Sequence, residues 1–114
     1  MRRLYRGSCH CGAVRFSFTA EPIETGVRCN CSICRRKGAV MSAHYIGHDD
    51  FVLEPTKALA IYRWGDKVVD HCFCSQCGIY PFHVYEGTYR VNLGCVDGID
   101  PWDVDVSDID GKSF

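Results

Sequence analysis

Hydrophobic and polar residues alternate with a period of two along most of this chain. In the stretch 13–19, Val14, Phe16 and Phe18 fall on one face, with Arg15 and Ser17 between them. This period is typical of a β-strand that buries one face. Similar alternation predicts further strands at 58–64, 67–74, 80–85, 88–93 and 102–107. The pattern therefore predicts a mainly β protein built from short antiparallel strands.

Helical periodicity is nearly absent. The one short candidate is the segment SICRRK, residues 32–37, which follows Cys31 and would be ended by Gly38. Glycines recur between the predicted strands, where they favour tight turns. Because the sequence shows neither a linker nor a low-complexity segment, we expect residues 1–114 to form a single domain.

Size and charge exclude some classes of protein. The chain has 114 residues and a formal net charge of −1, from 13 basic and 14 acidic residues. This balance argues against a nucleic-acid partner, which would favour a basic surface. The sequence has no apolar run long enough to span a bilayer, and residues 1–16 lack the apolar core of a signal peptide. We therefore expect a cytoplasmic protein with reduced thiols and no membrane partner.

Cysteine is the unusual component, with nine residues. Disulfides would require an oxidising compartment, and an odd number cannot be paired completely. Thiolates are also preferred ligands of zinc. The composition therefore favours metal sites over a disulfide scaffold.

Two pairs of cysteines predict one closed metal site. Cys9 and Cys11 are two positions apart, so in a strand both sulfurs would face the same side. Cys74 and Cys77 form a C-x-x-C turn, followed by Gly78, which permits a tight backbone conformation. Four thiolates complete a tetrahedral site, which is the arrangement of structural zinc.

A second group contains three cysteines, Cys29, Cys31 and Cys34, within six positions. Three protein ligands with one open position are typical of catalytic zinc. A fourth protein ligand would instead make this site structural as well. The spacing does not decide between the two arrangements. The candidates for a fourth ligand are Cys72, His44, His48, His71 and His83.

Five segments of the chain resemble the glutathione-dependent formaldehyde-activating enzyme family, which includes centromere protein V. The segments GSCHCGAVRF, CNCSICRRKGA and YRWGDKVVDHCFCSQCGIYPFHV resemble the three cysteine motifs of that family. The segments RVNLGCVDGID and DIDGKSF are similar to its C-terminal part. The resemblance extends over nearly the whole chain, and the joint spacing of the cysteines is specific.

The resemblance implies a β-tent fold with two zinc ions per chain. By position, Cys9, Cys11, Cys74 and Cys77 would hold a structural zinc, and Cys29, Cys31 and Cys34 would hold a catalytic one. Water or a substrate thiol would complete the second site. The implied activity joins glutathione and formaldehyde into S-hydroxymethylglutathione, and proteins of this type are classed as carbon–sulfur lyases.

Three basic residues directly follow the second group of cysteines. Arg35, Arg36 and Lys37 are candidates for binding the carboxylates of a glutathione-like thiol. The alternative is an ordinary solvated turn. Cys95 follows a predicted strand and is most simply explained as a small buried residue.

Three other functions compete with a lyase. The first is a non-enzymatic zinc module that binds a partner. The second is a zinc ribbon that binds nucleic acid, which the balanced charge disfavours. The third is a redox sensor that uses Cys72 or Cys95 as its reactive thiol.

Overall fold

The computed structural model describes residues 1–113. Within this range the chain forms mainly short strands, as predicted. In chain order the elements are β1 (Arg3–Ser8), β2 (Arg15–Ala20), β3 (Thr25–Cys29), α1 (Ser32–Lys37), β4 (Met41–Ser42), β5 (Phe51–Leu53), β6 (Leu59–Tyr62), β7 (Val69–Cys74), β8 (Phe82–Tyr85), β9 (Thr88–Val91) and β10 (Asp105–Ile109). Short 3-10 turns occur at His48–Asp50, Leu93–Cys95 and Gly111–Ser113.

The strands form three small sheets, with the orders β1-β2-β5, β10-β3-β4 and β6-β7-β8-β9. Neighbouring strands are antiparallel except for β3 and β10, which pair in parallel from Asp105 opposite Thr25 to Ile109 opposite Cys29. The prediction of antiparallel strands therefore does not hold for this pair. A parallel pair needs a long crossover connection, and here most of the chain lies between the two strands.

Aromatic rings from several strands form the centre of the core. Phe16 and Phe18 of β2 are almost fully buried, which confirms the predicted alternation. Phe16 packs edge-on against Phe82 at 5.7 Å, and Phe51 stacks on Tyr89 with ring centroids 3.8 Å apart. These contacts join the sheet β1-β2-β5 to the sheet β6-β7-β8-β9.

The helix α1 has the predicted bounds. It begins after Cys31, which has an extended backbone, and ends at Gly38. Gly38 has φ +67°, and its N–H donates to the carbonyl of Cys34 at 3.0 Å. Glycine adopts this left-handed conformation at little cost, which explains the stop. In the described part of the chain, no helix is long and apolar enough to cross a membrane.

Four strands were not predicted from the alternation, namely β1, β3, β4 and β5. β4 and β5 are only two and three residues long, too short to show a period. In β3, Gly26 packs where a side chain would not fit, since a Cβ there would lie 2.6 Å from Val40. These strands depend on pairing with neighbours and leave little signal in the local sequence.

Candidate metal centres and active site

The first cysteine cluster joins two turns that are far apart in sequence. The sulfur atoms of Cys9, Cys11, Cys74 and Cys77 all lie within 4.8 Å of one another. The sulfur of Cys11 is 3.7 Å from that of Cys9 and 3.6 Å from that of Cys74. The structure therefore brings together the four cysteines that the sequence groups, at a separation at which one metal ion can be enclosed.

Cys9 and Cys11 lie in a turn, so the expectation of strand geometry was wrong. β1 ends at Ser8, and the N–H of Gly12 donates to the carbonyl of Cys9 at 3.3 Å. Gly12 has φ +82°, which residues with a side chain rarely adopt. The chain must reverse here to reach β2, and this reversal turns both sulfurs toward the C-x-x-C turn.

Backbone N–H groups point at the sulfurs of this cluster. The N–H of Val14 donates to the sulfur of Cys9 at 3.3 Å, and the N–H of Cys77 donates to that of Cys74 at 3.4 Å. The N–H groups of Cys11 and Ile79 lower the pKa of the Cys77 thiol to about 6. Such donors stabilise thiolates, which are the form that binds metal.

The second cluster lies where β3 ends and α1 begins. The sulfur atoms of Cys29, Cys31 and Cys34 also lie within 4.8 Å of one another. Cys29 is the last residue of β3, and Cys31 immediately precedes the first helical turn, which contains Cys34. The three cysteines therefore meet because the chain changes from strand to helix within six residues.

No fourth protein ligand joins this cluster among residues 1–113. No other His, Cys, Asp or Glu in that range has a ligand atom within 4.8 Å of all three sulfurs. Cys72, one of the candidates, is 2% exposed and belongs to the hydrophobic core. His44 and His48 are exposed and contribute no atom to the cluster. Among the described residues, three possible ligands therefore meet here without a fourth.

A C-terminal turn covers one side of the second cluster. A Cβ atom at Gly111 would lie 2.4 Å from the sulfur of Cys29, so only glycine fits there. The side chain of Asn30 donates to Asp110 at 2.8 Å and accepts from the N–H of Lys112 at 3.0 Å. The packing of Gly111 against Cys29 was not predicted from the sequence. The pair Asp110–Gly111 looks there like an ordinary turn and gives no sign of the distant cysteine.

The pKa values of Cys31 and Cys34 are shifted in opposite directions. Burial raises the pKa of Cys34 to about 12. Burial also opposes ionisation of Cys31, but the N–H of Cys34 and the neighbouring sulfurs bring the pKa of Cys31 below its ordinary value. Three adjacent thiolates repel one another. A bound cation would offset this repulsion, and sulfur donors suit zinc and softer metals.

The second cluster opens onto a cavity of about 440 Å³, which we call the inner cavity. Besides the three cysteines, its lining includes Tyr45, Trp64, His71, His83 and Arg90. In the four-stranded sheet, His71 is opposite His83, and His83 is opposite Arg90. These residues form a continuous row across β7, β8 and β9. The row faces the cysteines. Cys72 and Phe82, the adjacent residues on β7 and β8, point to the other side of the sheet, into the core.

Tyr80 links the two histidines of this row. Its hydroxyl oxygen lies 2.6 Å from Nδ1 of His71 and 3.1 Å from Nδ1 of His83. Because a phenol donates one hydrogen bond, one imidazole must accept from Tyr80 while the other donates to it. Burial, followed by the charge of Lys37, lowers the pKa of both histidines, that of His83 to about 3. Both rings are therefore neutral near pH 7.

The three basic residues of the predicted substrate site lie in different places. Arg35 lines a second, outer cavity of about 450 Å³ that also touches Cys29 and Cys34. Arg36 donates to the carbonyl of Ser32 at 2.8 Å. The Nζ atom of Lys37 lies over the ring of Tyr80, 3.9 Å from its centroid. Their role in binding substrate stays a prediction.

The remaining cysteines are not exposed thiols. Cys72 and Cys95 are 2% and 9% exposed, and burial raises their pKa values to about 12 and about 11. The interpretation of Cys95 as a small buried residue is confirmed. Protonated, buried thiols react slowly with oxidants, so these residues do not favour a redox sensor.

The fold and these clusters define a small β protein with a closed group of four cysteines and an open group of three. The chain belongs to the glutathione-dependent formaldehyde-activating enzyme family, whose sequence pattern matches residues 4–108. The resemblance seen in the cysteine motifs is thus confirmed.

Two relatives are informative. A Halomonas elongata protein named "Putative glutathione-dependent formaldehyde-activating enzyme" is 54% identical over 81 residues, which are 65% of this chain. The match covers 52% of the Halomonas protein, so the present chain spans about half the length of that relative. A crystal structure of a Rhodobacter sphaeroides protein is 32% identical, with a TM-score of 0.79, and the match covers 90% of this chain and 99% of that one.

Proposed function

We propose that this protein is a zinc-dependent carbon–sulfur lyase that joins a thiol such as glutathione to formaldehyde or a related aldehyde, and splits the adduct. The observation that carries the proposal is the open group of Cys29, Cys31 and Cys34 at the inner cavity. Family membership and the name of the Halomonas relative support the same reaction.

The two clusters would hold two zinc ions with different roles. Cys9, Cys11, Cys74 and Cys77 would hold a structural ion, because four sulfurs leave no position for a substrate. Cys29, Cys31 and Cys34 would hold the second ion. Zinc held by three cysteines lowers the pKa of a thiol bound to it and so supplies a thiolate near neutral pH. Because thiolates are required at both sites, we infer that the protein works where its cysteines stay reduced.

The reaction forms one bond and moves one proton. The thiol sulfur bonds to the aldehyde carbon, the carbonyl π bond becomes a lone pair on oxygen, and the proton lost by the thiol ends on that oxygen. The reverse reaction returns the proton and releases the aldehyde. Neutral His71 lines the cavity and would accept and return this proton, while Tyr80 links its ring to that of His83. A cavity that holds both reactants also removes much of the entropy cost of their encounter.

The test measures zinc stoichiometry and X-ray absorption at the zinc edge, with and without glutathione. We expect two zinc ions per chain, one of which gains a sulfur ligand when glutathione is added. Hemithioacetal formation from glutathione and formaldehyde, followed by exchange NMR, should be faster with the protein than without it. The proposal would be contradicted if neither zinc ion changed its coordination when glutathione is added and hemithioacetal formation were no faster with the protein. That result would favour the non-enzymatic zinc module.

A further inference from the structure

Two half-buried basic residues near the second cluster each have a buried nitrogen atom without a hydrogen-bond partner in the described part of the chain. Among residues 1–113, the buried side-chain nitrogen or oxygen atoms without a hydrogen-bond partner are Nζ of Lys37 and Nε of Arg90. No carboxylate oxygen of the described residues lies within 4.0 Å of either side chain. Buried polar atoms are almost always paired, and buried charges are especially costly. Lys37 lies over the ring of Tyr80, but Arg90 lines the inner cavity and calls for an explanation there.

Arg90 is held in place by its neighbours, while most of the N–H donors of its guanidinium have no hydrogen-bond partner among the described residues. It lies opposite His83 in the sheet, and its guanidinium stacks over Tyr45 with Cζ 4.2 Å from the ring centroid. One terminal nitrogen donates to the carbonyl of Ala43 at 3.2 Å. A guanidinium has five N–H donors in a planar fork that matches a carboxylate. A fixed guanidinium on a cavity wall is suited to receive an anionic group.

The charges around the inner cavity favour an anionic ligand. Three thiolates and a zinc ion would together carry one negative charge, against the positive charge of Arg90 on the cavity wall. Lys37 lies outside the lining, over the ring of Tyr80, and burial lowers its pKa. His71 and His83 add no charge, because burial keeps them neutral. Asp66 also lines the cavity, but it is exposed at the rim, where water screens its charge. Arg90 is therefore the one Lys or Arg side chain among the described residues that line the cavity, and it is available to an anionic group.

We propose that Arg90, with His83 beside it, forms a carboxylate subsite in the inner cavity, which selects thiols that carry a carboxylate over neutral thiols. This inference rests on the proposed function, because it assumes that the thiol sulfur of the ligand lies at Cys29, Cys31 and Cys34. The sulfur would be bound at one side of the cavity and the carboxylate at the other.

The test compares two probes that differ only in this group. Binding of 3-mercaptopropionate and of its neutral amide, 3-mercaptopropionamide, is measured by calorimetry on the zinc-loaded protein. Hydrogen bonds to charged groups lead us to expect that the protein binds the acid about 10- to 100-fold more tightly than the amide. Arg90→Gln should abolish this preference while leaving affinity for the amide nearly unchanged. Arg90→Lys should keep part of the preference for the acid, because lysine keeps the positive charge but lacks the planar pair of N–H donors of a guanidinium.

Arg6→Gln is the matched control, because Arg6 is exposed on β1 and its loss changes net charge equally. It should keep the full preference. Thermal unfolding of each variant shows whether the fold survives. If Arg90→Gln does not fold, the ratio of acid to amide affinity in the wild type and in Arg90→Lys still tests the subsite.

Three results would overturn the subsite. Equal binding of both probes by the wild type, or an unchanged preference in Arg90→Gln, would contradict it and leave the proposed function intact. Binding of neither probe would contradict both, and that outcome is distinct because the amide needs only the thiol site.

Discussion

The two cysteine clusters use the same chemical group in opposite ways. The cluster of four ties the turn after β1 to the turn after β7, and Cys9 and Cys74 within it are fully buried. The cluster of three lies at one change from strand to helix and opens onto the inner cavity. If both clusters hold zinc as proposed, the number of cysteines and the adjoining cavity, and not the type of ligand, would separate a structural site from a reactive one.

A repeated motif sharpens this comparison. The pattern C-x-C-S-x-C occurs at 29–34 and again at 72–77. In the first copy all three sulfurs meet, because the chain leaves its strand at Cys29. In the second copy the first two cysteines belong to β7, and Cys72 is buried beside Phe82 in the core. The same sequence motif gives two different sites because its backbone conformation differs between the two copies.

The largest effect is expected from the closed cluster. Cys77→Ser should lose one zinc ion and unfold the protein at room temperature, because structural zinc contributes on the order of 10 kcal/mol and small domains have only about 5–15 kcal/mol of stability. Circular dichroism during thermal unfolding measures this. Cys72→Ser is the control, since it replaces a buried cysteine outside both clusters. If Cys77→Ser melts no lower than Cys72→Ser, the cluster is not structural.

A different result is expected from the open cluster. Cys31→Ser should remove the second zinc ion and lower kcat by about 100-fold or more, because a nucleophile activated by metal is lost. The melting temperature should stay near that of the wild type, since the ion does not join distant strands. Metal analysis and steady-state kinetics on the same sample make the measurement. Unfolding as severe as that of Cys77→Ser would show that both clusters are structural.

An intermediate effect is expected from the turn that covers the open cluster. Gly111→Ala would place a methyl group against the sulfur of Cys29. It should lower the zinc affinity of this site by about 10- to 100-fold, the usual effect of disturbing residues that orient metal ligands. Competition with a chelator gives the affinity of each site. Gly47→Ala is the control, because its nearest neighbour would be 3.9 Å away. Equal zinc affinities in the two variants would mean that the turn does not fix the ligands.

The smallest effect is expected from the exposed ion pair between β3 and β10. Arg28 donates to Asp108 at 3.0 Å, but both side chains are largely in water. Exposed pairs contribute at most about 1 kcal/mol, so Asp108→Asn should change unfolding in urea very little and leave zinc content at two. A loss of the second ion in this variant would show that the parallel pairing itself holds the open cluster together.

Local features of the sequence predicted the local parts of this structure. The helix at 32–37 followed from its flanking Cys31 and Gly38, and the buried face of β2 followed from alternation. The grouping of Cys29, Cys31 and Cys34 followed from spacing, because neighbours in sequence meet where the chain turns. These features need only a few consecutive residues.

The parts that sequence reasoning missed depend on distant contacts. The row of His71, His83 and Arg90 exists because three strands pair in one register, which no single strand encodes. Arg90 alternates with apolar neighbours like any solvated strand residue. The cover at Gly111 depends on a strand that pairs with β3 from the far end of the chain.

The pairing of β3 with β10 also sets an order of events during synthesis. The contacts Arg28–Asp108 and Asn30–Asp110 each join residues 80 positions apart. At a translation rate of about 5–20 residues per second, roughly 4 to 16 seconds separate the emergence of Cys29 from that of its cover. During this interval the three thiols are accessible to metal carriers and to oxidants. The second site therefore closes after the first, whose four cysteines have all emerged with Cys77, and it is the more vulnerable of the two before it closes.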